Sequence, residues 1–228
     1  MADPFSERAF GSIIGAFIGD SCGSYVEFDE LFPSPKKVED CMQMPGGGHH
    51  GVAAGQVTDD SEMMMSLMIG YIKSNENLEP QAEKQFDFNQ VGGQYARWYT
   101  SYPFDIGQAT ETSIKTLSYA NKTAEDAIER ANTFNGQTKS NGSLMRSMPH
   151  AIFGANLVKA GKFKELKDLV TGEAKFVHAN KIVHEAVFVY IASLAYLLNN
   201  PDDENRSQAA FDLALKLSKE SLANTVDH

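Results

Sequence analysis

The chain has 228 residues, enough for one domain with a sizeable core and no need of disulfide or metal staples. Twenty Lys and Arg against 30 Asp and Glu leave a formal charge of −10, which argues against broad electrostatic binding to nucleic acid or an anionic membrane. The composition is 42% hydrophobic and 22% charged, which excludes wholesale disorder. Cys22 and Cys41 form no CxxC pair, so neither a disulfide scaffold nor a structural zinc is expected, and a reducing cytosol is the natural compartment. The N-terminus lacks a basic stretch followed by an apolar one, so no secretory signal is expected. The longest uncharged apolar run, Ala186 to Leu198, covers 13 residues, short for a bilayer and right for a core helix.

Helical periodicity runs through the chain. Phe5, Ala9, Ile13, Phe17 and their neighbours recur at spacings of three and four. Gly11, Gly15 and Gly19 lie on one stripe of the same segment, which predicts close approach of a neighbouring helix. Leu31 to Gly55 is punctuated by Pro and Gly and reads as a long loop. A helix is expected from about Ser61 through Tyr71, then others over Phe86–Tyr99 and Thr110–Ala120. Thr123 and Asp126 have capping-box spacing and open a helix to about Asn132. Ser143–Ala160 is helical in pattern, with Pro149 expected to kink it or end its first turns. Phe163–Phe176, Ile182–Leu198 and Gln208–Leu222 complete the series. No sustained period-two alternation is present, so the class is all-α, and no linker divides the chain, so residues 1–228 read as a single domain.

The sharpest chemical feature is Thr58-Asp59-Asp60-Ser61, directly before a predicted helix. Adjacent carboxylates repel, so their pairing asks for a cause. One is helix capping, since acids and hydroxyls satisfy free N–H groups and oppose the dipole. The other is a hard divalent cation, for which one turn offers a hydroxyl and two carboxylates.

The surroundings extend this turn into an ordered series. Gly19-Asp20-Ser21-Cys22-Gly23 through Glu27 comes first, followed by the loop Pro45-Gly46-Gly47-Gly48-His49-His50-Gly51. Pro103-Phe104-Asp105-Ile106-Gly107-Gln108-Ala109-Thr110 and Ser140-Asn141-Gly142-Ser143-Leu144-Met145-Arg146 come later. From about Phe10 to Leu198 this series resembles the ADP-ribosylglycohydrolase family. The resemblance implies a compact helical fold and a two-metal centre, Mg²⁺ or Mn²⁺, with Thr58, Asp59 and Asp60 as ligands. It places Glu27 near the metals on a loop, and Gly107, Gln108 and Thr110 on a ligand-contacting turn. Asn141, Gly142 and Ser143 would cradle the diphosphate of ADP-ribose, with Ser140 in the same substrate-binding turn, and backbone N–H groups before a helix suit that role physically. His178 matches a histidine that reaches the substrate pocket, although Val177 and Lys181 stand where Thr and Pro are usual. Arg146 is read either as part of that segment or as a core ion-pair partner. His49 and His50 are read as loop residues.

The implied activity is metal-dependent removal of ADP-ribose from modified protein side chains, with Asp59, Asp60 and Glu27 as catalytic groups. ADP-ribose or an ADP-ribosylated protein is the expected partner, without nucleic acid or membrane, in the cytoplasm. Family members also carry a later G-D-T-D-like segment with further metal ligands, and residues 224–228, Asn-Thr-Val-Asp-His, do not match it. The C-terminal part of the family domain is therefore expected to be missing. Two other readings stay open: a non-catalytic ADP-ribose-binding or structural relative, and a helical interaction domain whose T-D-D-S only caps a helix.

Overall fold

The computed structural model describes residues 3–29, 33–79 and 85–226, the last six of these by backbone alone. The helices are α1 (Pro4–Gly23), α2 (Pro35–Cys41), α3 (Asp59–Asn75), α4 (Phe88–Thr100), α5 (Gln108–Ile114) and α6 (Ala124–Phe134). They continue with α7 (Pro149–Phe153), α8 (Ala155–Lys159), α9 (Phe163–Ala174), α10 (Lys181–Asn199) and α11 (Arg206–Val226). The described residues contain no strand, and a lone bridge joins Gly47 to Val52.

Two apolar clusters form the core, and α3 is the wall between them. Met64 packs with Ile13, Leu166, Val187 and Ile191. Met63, Leu67 and Tyr71, on another face of the same helix, pack with Val91, Tyr95, Trp98 and Ile114. Burying each such side chain contributes about 1.5–3 kcal/mol, so a helix with apolar residues on two faces is fixed in rotation. The α3–α4 crossing is close because Gly70 has no side chain: a Cβ there would lie 2.6 Å from Val91 Cγ2 and 2.8 Å from its Cα. By length and composition α10 could cross a membrane. Here Val187, Ile191, Ala192 and Ala195 are fully buried in the first cluster, which makes it the core helix expected from its apolar run.

Several local expectations need correction. The stretch 31–55 is not all loop: Ser34 caps α2 through Lys37 N–H, with Pro35 at the first helical position. The helix expected over Ser143–Ala160 is a turn followed by two short helices. Pro149 opens α7 and Gly154 separates it from α8. After α5 the chain tightens into a 3₁₀ turn over Lys115–Ser118. The capping box of α6 forms as expected, with Thr123 and Asp126 bonded reciprocally. The glycine stripe of α1 meets no neighbour: a Cβ at Gly11, Gly15 or Gly19 would find nothing within 4 Å among the described residues. Phe10, Ile14 and Ile18 on that side are exposed.

Candidate active site

Asp20 stands in the last turn of α1, where a helix presents unpaired carbonyls and repels an anion. It is held there by the start of α3. One Asp20 oxygen accepts the Thr58 hydroxyl at 2.8 Å. The other accepts Thr58 N–H at 2.9 Å, Ser61 N–H at 3.1 Å and the Ser61 hydroxyl at 2.5 Å. The N-terminus of α3 is thus capped by a carboxylate from another helix. Thr58 makes no cap bond of its own to α3. The capping reading of T-D-D-S therefore does not account for Asp59 and Asp60, because the capping work is done by Asp20. Replacing Asp20 by alanine removes four hydrogen bonds at this junction. We expect it to cost about 2–3 kcal/mol of unfolding free energy in urea titrations, above the range of an ordinary cap.

Released from capping, Asp59 and Asp60 face a cavity of about 660 Å³. Glu27 and Asp105 line the same cavity. Burial, then the charges of Asp105, Asp60 and Glu27, push Asp59 up to about 7, against a single helpful bond from Gly107 N–H. Burial, then Asp20, Glu27 and Asp105, push Asp60 up to about 6. Glu27 is raised by burial first and Asp105 second, with His50 opposing. His50 lies between the last two acids, its Nε2 at 3.2 Å from Asp105 Oδ2 and 3.8 Å from Glu27 Oε2.

The remaining wall comes from two turns. Gly107, Gln108 and Thr110 line the cavity from the start of α5, and Ser140, Asn141 and Gly142 from the turn before α7. The turns touch at Gly142, where a Cβ would stand 2.7 Å from Thr110 Oγ1. Asn135 locks this corner, its amide nitrogen lying 2.8–2.9 Å from Ala109 O, Ser113 Oγ and Val177 O. Arg146 approaches the Gly142 carbonyl from beneath.

Thr58 is buried against Asp20, and Ser143 and His178 are buried behind Ser140. His178 Nδ1 lies 2.7 Å from Ser143 Oγ, and its Nε2 lies 3.0 Å from Ser140 Oγ. Ser143 also donates to Ala174 O at 3.1 Å. Burial first, then the nearby Arg146 and His184 charges, lower His178 to about 4, so the ring is neutral at ordinary pH. Arg146 is a core ion-pair partner: its Nε lies 2.8 Å from Glu173 Oε1, both side chains fully buried.

The sequence pattern of the ADP-ribosylglycohydrolase family matches residues 1–227. The chain belongs to the ADP-ribosylglycohydrolase family. It is similar to ADP-ribosylarginine hydrolase Tri1 of Pseudomonas putida (strain GB-1), 28% identical over 87% of this chain and 48% of that protein. It is also similar to the ADP-ribosyl-[dinitrogen reductase] glycohydrolase of Rhodospirillum rubrum, 27% identical over 75% of this chain and 51% of that one. A solved ADP-ribosylglycohydrolase-related protein complex shares the fold, with a TM-score of 0.61 at 22% identity over 86% of this chain and 57% of the other. The chain spans about half the length, or less, of the curated relatives it matches.

Asp20, Asp105, Asn135 and His50 carry no assigned role in the sequence reading. Asp20 had a physical signal, since an acid in the last turn of a helix without a basic neighbour needs a partner elsewhere. Asp105 and His50 had none, because their meeting depends on two loops folding onto each other.

Proposed function

We propose that this chain belongs to a hydrolase that removes ADP-ribose from modified protein side chains, and that the acid pocket is where the bond is cut. The observation that carries the reading is the cap supplied by Asp20. It leaves Asp59 and Asp60 facing a cavity with two further carboxylates, an arrangement that repels itself unless protons or a cation occupy it.

The donor set suits a hard divalent cation such as Mg²⁺ or Mn²⁺. The carboxylates of Asp59 and Asp60 stand adjacent, and the Thr58 hydroxyl has given its proton to Asp20, leaving lone pairs to bind. When bound, such an ion supplies charge stabilisation and makes a nucleophile of water near neutral pH. The protein's own groups do the rest. Asp59 or Asp60 would hold the attacking water or accept its proton through a carboxylate oxygen not engaged with the ion. Glu27, raised by burial and by Asp105, is placed to return a proton to the departing side chain. The Gly107–Thr110 and Ser140–Gly142 turns offer polar groups to the rest of the ligand, and a 660 Å³ cavity is within the range of nucleotide-sized sites. Glycosidic cleavage of this kind passes through an oxocarbenium-like state, which carboxylates stabilise.

The test is release of free ADP-ribose from ADP-ribosyl-arginine and ADP-ribosyl-serine peptides, with Mg²⁺ and with EDTA. We expect release with Mg²⁺ and none with EDTA, and none from Asp60→Asn. The alternative, a relative that binds ADP-ribose without cutting it, would show binding in calorimetry with no turnover.

A further inference from the structure

We propose that His50 is a metal ligand, forming with Glu27 and Asp105 a mixed nitrogen-and-oxygen cation position beside Asp59 and Asp60 that favours Zn²⁺ over Mg²⁺. This rests on the reading of the acid pocket as a cation site and adds to it a second position and a choice of metal; with that position filled, Glu27 serves as a ligand and not as the proton donor.

Four observations carry it. Ligand atoms of Glu27, His50 and Asp105 lie within 4.8 Å of one another. A cation with bonds of about 2.1 Å spans ligand pairs up to about 4 Å apart. The His50 contacts at 3.2 and 3.8 Å already meet that limit, and Glu27, whose side chain is 42% exposed, has room to close the rest. Next, His50 Nε2 is buried and makes no hydrogen bond, although two carboxylates face it. A nitrogen so placed, aimed at two anions without bonding to either, has the geometry of a ligand whose ion lies between them.

The ring is also held. Phe28 and Phe104 pack edge-on to His50 at 5.8 and 5.9 Å between centroids, and His49 at 5.0 Å. Fixed ring orientation is what a first ligand needs for defined coordination. Finally, the loop is built to bring His50 there. Gly48 adopts φ +65°, and a Cβ on it would stand 2.4 Å from Ser24 O, so only glycine lets the loop lie against the end of α1. The Gly47–Val52 bridge closes the loop, with N–H···O bonds of 2.7 and 3.1 Å. The glycine-rich run thus has a task, which is to deliver an imidazole to the acids.

The choice of metal follows from the donor. Mg²⁺ takes oxygen ligands and keeps its waters, whereas imidazole suits Zn²⁺, which also ranks above Mn²⁺ at nitrogen-containing sites. An imidazole that only pairs as a cation with Asp105 would show none of this metal dependence.

The experiment is calorimetry of Zn²⁺ and Mg²⁺ on the full chain, on His50→Gln and on Asp59→Asn. It is paired with ¹⁵N spectra of the histidine rings and with circular dichroism to confirm that each variant is folded. We expect Zn²⁺ to bind the unaltered chain more tightly than Mg²⁺ and to shift the His50 Nε2 resonance. His50→Gln should weaken Zn²⁺ by roughly 10- to 100-fold and leave Mg²⁺ within about twofold. Asp59→Asn should weaken Mg²⁺. Zn²⁺ affinity unchanged in His50→Gln, or a His50 resonance that Zn²⁺ does not move, overturns the proposal. If Mg²⁺ binding still depends on Asp59 in that case, the cation reading of the pocket stands and only the role of His50 falls. Failure of both ions to bind the unaltered chain overturns both.

Discussion

Truncating Glu173 to alanine will lower the unfolding free energy by roughly 3–5 kcal/mol, the cost of leaving a buried guanidinium without its counter-charge. Glu173, Arg146, Tyr95 and His150 are all fully buried. Glu173 Oε1 accepts from Arg146 Nε at 2.8 Å and from Tyr95 OH at 2.6 Å. Tyr71 OH lies 2.6 Å from His150 Nδ1, which extends the network to α3. Burial alone would raise the Glu173 carboxyl, but Arg146, then His150 and Tyr95, overcome it and hold it at about 2. Against a total stability of about 5–15 kcal/mol, the loss is severe, and a melting point lower by about 10 °C is expected in a chain of this size. Arg146→Met should cost a similar amount. The double variant should cost clearly less than the sum, because each single change strands the other partner. Urea titrations of the four proteins give the coupling directly. Full additivity would show that the pair does not act as a unit.

The second large effect runs the other way. Asp59→Asn will stabilise the chain at pH 8 without divalent cations, by an amount on the order of 2–4 kcal/mol. The folded carboxyl sits near 7 against an ordinary 3.8, so the folded state keeps a proton that the unfolded chain has released. Stability from this group is complete below about pH 4 and is lost as pH rises toward 7. Asp60, at about 6, adds to the same slope. Glu173 acts in the opposite sense, since its depressed value contributes above about pH 4.5 and is lost toward pH 2. Without a divalent cation, thermal stability should therefore peak near pH 4–5, unusually acid for a globular protein. A divalent cation that binds only the folded state should raise the melting point at pH 8 and flatten the alkaline fall. In Asp59→Asn that gain should shrink or vanish. Melting curves from pH 3 to 9, with EDTA and with Mg²⁺, read both signs.

Much of the fold was legible because helix periodicity is a local signal. The two-faced apolar pattern of α3 and the capping box of α6 are written within a few residues of each other. Short helices were harder. α2 lay hidden because the glycines after Met44 draw attention to loop character, while its Ser34-Pro35 start is a brief signal. The segment after Ser143 kept helical spacing of apolar residues, yet Pro149 and Gly154 divide it. The glycine stripe of α1 misled, since close packing depends on what lies opposite, and among the described residues nothing does.

The site was half legible on the same grounds. Thr58, Asp59 and Asp60 are contiguous, so one turn announces them. The partners that change their meaning are remote in the chain. Asp20 comes 38 residues before Thr58, and it removes the capping explanation by taking that role itself. Asp105 and His50 acquire significance only when two loops meet. Ser143 and His178 are individually ordinary residues, and their relation to Ser140 arises from the end of α9 passing beneath the Ser140–Gly142 turn.

That last contact ties the cavity wall to a shared set of protons. Ser143 Oγ stands within reach of both the Ala174 carbonyl and His178 Nδ1, and Ser140 Oγ within reach of Nε2. A neutral imidazole carries one N–H, so whichever ring nitrogen holds it, the other accepts, and Ser140 and Ser143 take opposite roles toward the ring. The wall at Ser140 and the buried end at Ser143 therefore change together. A ligand that takes a proton from Ser140, or gives it one, selects the tautomer of a ring it never touches.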